Sequence, residues 1–241
     1  LIPEDQLVVI MMHIPLIDVA DRHDLYRLIE KRPFCMSISG HTHHHEHRFI
    51  TKADGWEGPE PHHHVINVTV SGSWWGGAPD ERGIPHTMMS DGAPNGYSMI
   101  SFDGHEYKVD FFAAGKPASY QMNIQAPEVV SAADASKTDV YVNVFNGSER
   151  STVEMRVGKN GAWKTLKRTV TEDPAFKKLK AVEATFEKLP WRKLPNPKKS
   201  PHLWHGTLPA KIQPGTYSIE IRTTEMTGRK HTGRRVIRVT K

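Results

Sequence analysis

The sequence predicts an α/β unit followed by an all-β module, and three observations carry that division. An apolar strand, a helix and a second apolar strand follow one another between Leu7 and Ser39, whereas beyond Pro117 only short strand-like runs recur between turn residues. Charge divides the same way: residues 1–115 hold 8 Lys+Arg against 16 Asp+Glu, and residues 116–241 hold 24 against 11. Histidine follows, with 12 of the 15 at or before His105. A chain of 241 residues accommodates two modest domains, and the breaker cluster Gly115-Lys116-Pro117 marks the division, giving 1–116 and 117–241.

Composition excludes several classes. The chain is 37% hydrophobic and 24% charged, enough apolar content for packed cores. The longest apolar run, Leu7–Met12, has six residues, far short of a membrane span, so none is expected. A single cysteine, Cys35, rules out an internal disulfide framework and any CxxC zinc site; inside an apolar strand it reads as an inert core thiol. No signal peptide is visible, and because the chain starts at Leu1 rather than Met its true N-terminus is expected to be missing. The basic second half could face a polyanion, but no nucleic-acid reading motif accompanies it, so nucleic acid is disfavoured as a partner.

The first elements read plainly. Leu7–Met12 is short and partly β-branched, as a strand buried on both faces would be. Asp21 can cap a helix over about 22–31, whose inner stripe is Tyr26, Leu28 and Ile29, and Arg32-Pro33 ends it. Phe34–Ser39 is a second buried strand. Right-handed crossover puts the ends of both strands on one edge of a parallel sheet, where α/β folds hold their ligands. Each strand delivers histidine there: His13-Ile14-Pro15 after the first, and Gly40-His41-Thr42-His43-His44-His45-Glu46-His47 after the second. Residues alternate along an extended segment, so His41 and His43 are expected to point the same way, with His13 approaching from the neighbouring strand. Neutral imidazole is the commonest ligand for zinc, iron and manganese, so these three are candidate metal ligands meeting in one cleft.

Val9-Ile-Met-Met-His13-Ile-Pro15 followed by Ser39-Gly-His41-Thr-His43 resembles the last two motifs of the calcineurin-like metallophosphoesterases. That resemblance implies half of an α/β sandwich and a centre of two divalent ions (Mn, Fe or Zn) that hydrolyses phosphate mono- or diesters through metal-activated water. His13 and His41 would then bind the second ion and His43 the first. The family's earlier motifs are absent, since the chain contains no Gly-Asp dipeptide and no Gly-Asn-His. The chain therefore reads as the C-terminal portion of a longer enzyme, with no catalytic residue of its own, partial or no metal occupancy and no useful turnover alone. Its partners would be the missing N-terminal part and a phosphorylated small molecule. An exposed half-sheet could also pair two copies.

The remaining histidines and tryptophans are assigned more loosely. His45 and His64, with Trp74 and Trp75, are candidate substrate contacts, the indoles by stacking on a flat or sugar-like group. Val65–Val70 alternates as a strand, the segments around Trp74 and Thr87–Gly96 read as irregular, and Tyr97–Phe102 with His105–Ala113 form a hairpin that would complete one sheet of the sandwich.

In the second half Val140–Phe145, Val153–Val157, Trp163–Val170, Leu203–Leu208, Tyr217–Arg222 and Val236–Val239 read as strands, with a short helix within Asp173–Leu189. The pattern suggests an immunoglobulin-like sandwich. Leu189–Pro201, with four prolines, reads as a long exposed loop. The alternative to a hydrolase is a non-catalytic β-sandwich module for carbohydrate or polyanion. Multidomain relatives with such sandwiches favour a periplasmic or secreted location.

Overall fold

The computed structural model describes residues 2–241. Its first sheet contains β1 (Val8–Met11), β2 (Cys35–Ser39), β3 (Glu46–Ile50) and β4 (His62–Ile66), in the order β1-β2-β4-β3. β1, β2 and β4 run parallel and β3 antiparallel. Helix α1 (Arg22–Ile29) joins β1 to β2 and buries Tyr26 and Ile29 against Leu16, Ile50 and Trp56. Leu28 falls outside the expected stripe and is 75% exposed, because residues 25, 26 and 29 already occupy the 3.6-period face. Asp21 precedes the helix without a side-chain capping bond.

β1 is a sheet edge, not a doubly covered strand. Val8, Val9 and Ile10 are half-buried and Met11 is 81% exposed. The fully covered strand is β4, where His62, His63 and His64 lie between β2 and β3. It starts three residues before Val65 and stops at Ile66, so the alternation of Val68 and Val70 belongs to a loop.

The hairpin β5 (Gly96–Asp103) and β6 (Glu106–Ala113) forms its own two-stranded sheet and does not extend the first one. Val109 packs on Met36 and Val65, while Phe111 and Ala113 join Val68, Met89 and Phe145. The hairpin is thus a second layer that touches both halves of the chain.

The second half holds two sheets around one apolar core. Strands β7 (Met122–Gln125), β9 (Asp139–Val144) and β11 (Leu203–Thr207) lie with the short Lys167–Arg168 in one. Strands β8 (Val129–Ser131), β10 (Thr152–Val157), β12 (Gly215–Thr224) and β13 (Lys230–Thr240) lie with Lys164–Thr165 in the other. Val140, Val142 and Val144 alternate inward from β9 and meet Val153, Met155, Ile219, Ile221, Ile237 and Trp204. The described residues are therefore mainly β, with two short α-helices. No helix among them is long and apolar enough to cross a membrane.

Helix α2 (Pro174–Ala181) is capped by Asp173, whose Oδ1 accepts the Phe176 amide at 2.9 Å. Of Phe176, Leu179, Val182 and Phe186, whose spacing fits the expected short helix, only Phe176 is buried, and Val182 and Phe186 lie beyond α2. The proline-rich segment that follows is not free. Gly77 N–H donates to Arg192 O at 2.8 Å, Trp191 Nε1 donates to Gly77 O, and Leu194 is buried. Proline removes donors but leaves carbonyls, and it stiffens an extended strap that can lie along another surface.

A buried polar seam joins the halves. His202 Nε2 meets Asp91 Oδ2 at 3.0 Å with both side chains fully buried, and His202 Nδ1 meets Asn143 Oδ1 at 2.8 Å. Asn143 Nδ2 donates to Asp173 Oδ2, which Gln125 also reaches. Asn146 Oδ1 accepts His45 and His47 Nε2, and its amide nitrogen donates to Val109 O and Glu225. Burial raises the Asp91 carboxyl, but the His202 ring and the His45 amide outweigh it and hold the pKa below the ordinary value. Asp91→Ala would strand His202 and that amide in a dry interior, so a loss of about 3 kcal/mol in urea unfolding is expected, with the native secondary structure retained at zero denaturant.

Candidate metal centre

β1 and β2 end side by side, and the backbone ties their exits together: Met12 N–H donates to Ile38 O, and Gly40 N–H to His13 O at 3.2 Å. The turn after Gly40 is not extended. His41 has φ 67° and His43 φ 54°, both left-handed, where a β-carbon is disfavoured. The only other left-handed non-glycine residues among those described are Trp74 (φ 66°) and Trp75 (φ 54°). The two turns touch: the His43 ring stacks on Trp74 with centroids 4.5 Å apart, and His43 Nδ1 lies 2.6 Å from Gly72 O. Unfavourable backbone is therefore concentrated at one place, the pattern seen where side chains are aimed for function.

The three candidate ligands divide into a pair and a single residue. His13 Nε2 and His41 Nδ1 are 2.8 Å apart, with the rings edge-on at 72°. A carbonyl can only accept, so His43 Nδ1 carries the proton toward Gly72 and its Nε2 keeps the lone pair. Among the described residues no three His, Cys, Asp or Glu side chains cluster closely enough to hold one ion. The expectation that His41 and His43 point the same way from an extended segment is corrected, because left-handed backbone at both residues breaks the alternation of a strand.

The donor set fits a metal in part. Two imidazole nitrogens at about 2.1 Å from one ion, bound roughly at right angles, stand about 3 Å apart, close to the observed His13–His41 spacing. A backbone carbonyl fixing the far nitrogen, as Gly72 does for His43, is the usual way an imidazole is oriented toward a metal. Among the described residues no carboxylate clusters with these rings to serve as the shared ligand of two ions.

His45 and His64, expected as substrate contacts, lie inside the fold. Both are fully buried. His45 Nδ1 accepts the Val68 amide and Nε2 meets Asn146; His64 Nε2 accepts the Leu16 amide while Nδ1 meets Ser37 Oγ at 2.7 Å. His62 shares Ser37, and His63 bridges His47 and the Tyr107 hydroxyl. These histidines are wiring inside the central strand. Trp74 and Trp75 are the opposite case, 55% and 45% exposed at the rim. Sequence reading gave no role to Gly72 O or Asn146. Asn146 sits in an Asn-Gly turn and reads locally as turn chemistry; no local signal exposes the carbonyl.

Residues 64–231 match the model of the C-terminal region of calcineurin-like phosphoesterases. The chain belongs to that family. The matched region starts inside β4, takes in the hairpin and ends at the second residue of β13. No curated protein matches the chain. Among solved structures it is similar to CopC from Methylosinus trichosporium OB3b, at 15% identity over 48% of this chain and 84% of that one, TM-score 0.26. It is also similar to a superoxide reductase (neelaredoxin) from Ignicoccus hospitalis, at 15% over 52% and 89%, TM-score 0.28. The soluble domain of PmoD from Methylocystis sp. ATCC 49242 (Rockwell) gives 14% over 59% and 97%, TM-score 0.27. At such TM-scores nothing functional rests on these likenesses.

Burial holds the His62 and His64 rings neutral, with pKa lowered to about 4, and drives His45 and His63 well down too. An unfolded chain takes up these protons near pH 6.5, before the folded chain can. The stabilisation is therefore complete above pH 6.5 and is lost as pH falls from about 6.5 toward 4. Urea midpoints are expected to drop steeply between pH 7.5 and 5, and substituting His62 by Gln should flatten that slope.

Proposed function

We propose that this chain carries the C-terminal ligands of a metal-dependent phosphoesterase acting on phosphate mono- or diesters. His13 and His41 would hold one divalent ion and His43 another, with manganese, iron or zinc as the candidates. The observation that carries the reading is the pairing of two left-handed turns that present a His13–His41 nitrogen pair beside a carbonyl-oriented His43. A bound divalent ion would offset phosphoryl charge and lower the pKa of a bound water. The protein's own part is positional: Gly72 O sets the His43 tautomer, and Trp74 both packs on that ring and offers a face to a planar leaving group.

The remaining ligands, including a bridging carboxylate, would come from an N-terminal part of the same enzyme. The β1-α1-β2 crossover supports reading the first portion as half of an α/β sandwich. The open apolar edge of β1 supports a partner strand there, from that part or from a second copy. The two sheets packed on one core support an immunoglobulin-like second domain, 117–241 against 1–116. An exported location, periplasmic or secreted, belongs to the same reading. The exposed Trp74 and Trp75 favour one alternative, a non-catalytic module that binds carbohydrate through its indoles.

Mn²⁺ titration followed by electron paramagnetic resonance tests the site. His13→Ala or His41→Ala should weaken binding by at least tenfold. Hydrolysis of bis-(p-nitrophenyl) phosphate that persists when His41 and His43 are both replaced by alanine would overturn the assignment.

A further inference from the structure

We infer that Lys198, delivered by the second half of the chain, is a phosphate-anchoring residue at the rim of the histidine turns, binding an oxyanion oxygen of the phosphate ester. The inference rests on the site proposed above and adds to it a residue far away in sequence.

The strap that carries Lys198 is held at several points. Lys180 Nζ donates to Leu194 O at 2.7 Å, and Leu194 N–H donates to Glu183 Oε1 at 2.6 Å. The Leu194 side chain lies so close to Gly77, at φ 83°, that a β-carbon there would come within 2.7 Å of Leu194 Cγ. Gly77 N–H donates to Arg192 O, and Lys198 N–H donates to the carbonyl of buried Ser90 at 3.0 Å. Gly76 and Gly77 directly follow Trp74 and Trp75 in the chain. The strap therefore docks beside the aromatic turn, and its far end is pinned next to Asp91 of the buried seam.

This fixed end aims an ammonium at the site. Lys198 Nζ stands 3.5 Å from the carbonyl of Thr42, the residue between His41 and His43. One N–H directed at that carbonyl leaves two N–H donors on an exposed, hydrated group, free to exchange water for an anion. The need for such a group follows from charge. The first half holds 16 carboxylates against 8 Lys+Arg, so it offers few cations of its own to a phosphate ester. Nearby Glu46 is already engaged, by His44 at 3.3 Å and by Arg48 at 4.0 Å. A charge-assisted hydrogen bond from Lys198 would supply a local cation that the basic half can spare. A merely structural lysine would close the strap onto Thr42, and its loss would loosen the fold without touching anion affinity.

Inorganic phosphate is the probe, titrated by calorimetry into the full chain with and without Mn²⁺. Lys198→Met keeps the aliphatic stem and removes the charge; it should weaken phosphate binding about tenfold while leaving urea stability unchanged. Lys198→Arg should restore most of the affinity, and Lys159→Met, on a distant turn, should have no effect. Equal affinity in wild type and Lys198→Met in both titrations, or no phosphate binding by wild type in either, overturns the proposal. Mn²⁺-induced broadening of the His13, His41 and His43 ring resonances reads the underlying site separately. If that broadening is absent while phosphate binding still depends on Lys198, the metal assignment fails and the anchoring role stands.

Discussion

The whole arrangement depends on a buried polar seam between the first sheet with its hairpin and the two sheets of the second half. Asp91, His202, Asn143 and Asp173 form a chain of buried side chains hydrogen-bonded to one another across separate segments. Asn146 likewise links His45, His47, the Val109 carbonyl and Glu225. Apolar surfaces can slide past one another at little cost, whereas a buried donor without its acceptor costs a kilocalorie or more. The seam therefore sets the register of the halves as well as their contact, and it places the strap and the segment from Ser71 to Gly77 where they lie.

Aiming of the candidate site is a second consequence. Four left-handed non-glycine residues in two touching turns represent stored strain, held in place by the packing around them. His43 illustrates the economy of the device: one carbonyl, Gly72 O, fixes its tautomer and one indole, Trp74, fixes its plane. His41 faces His13 because the strands that carry them are hydrogen-bonded neighbours. The remaining histidines of the first portion do a different job. His47, His62, His63 and His64, seated in β3 and β4, have their pKa lowered by burial and join strands to serine, tyrosine and asparagine, so that a histidine-rich sequence yields both a rim and an interior.

Much of this was legible from residue order. Hydrophobic runs and breakers located β1, α1, β2 and the β5–β6 hairpin, and the run Val140–Phe145 located β9. The resemblance read from His13, His41 and His43 named the family whose model matches residues 64–231, a region that lies beyond those three histidines. Strand β3 was missed because Glu46-His-Arg-Phe-Ile50 is too polar to read as a covered strand. The short β7 and β8 lacked the flanking turn signals that identified longer runs.

What the amino-acid order determined by itself is local: where strands and helices start, which residues bear nitrogen lone pairs, and the uneven distribution of charge. Periodicity and turn chemistry act over a few residues, so they survive without knowledge of the fold. What tertiary structure alone decided is which histidines face water. Neighbouring strands bury His45 and His64, while strain in a turn presents His41 and His43. It also decided that a proline-rich segment reading as a long exposed loop would be tied to Gly77 and Ser90 and bring Lys198 beside Thr42. Burial and approach are set by elements distant in the chain, and no local pattern encodes a partner 156 residues away.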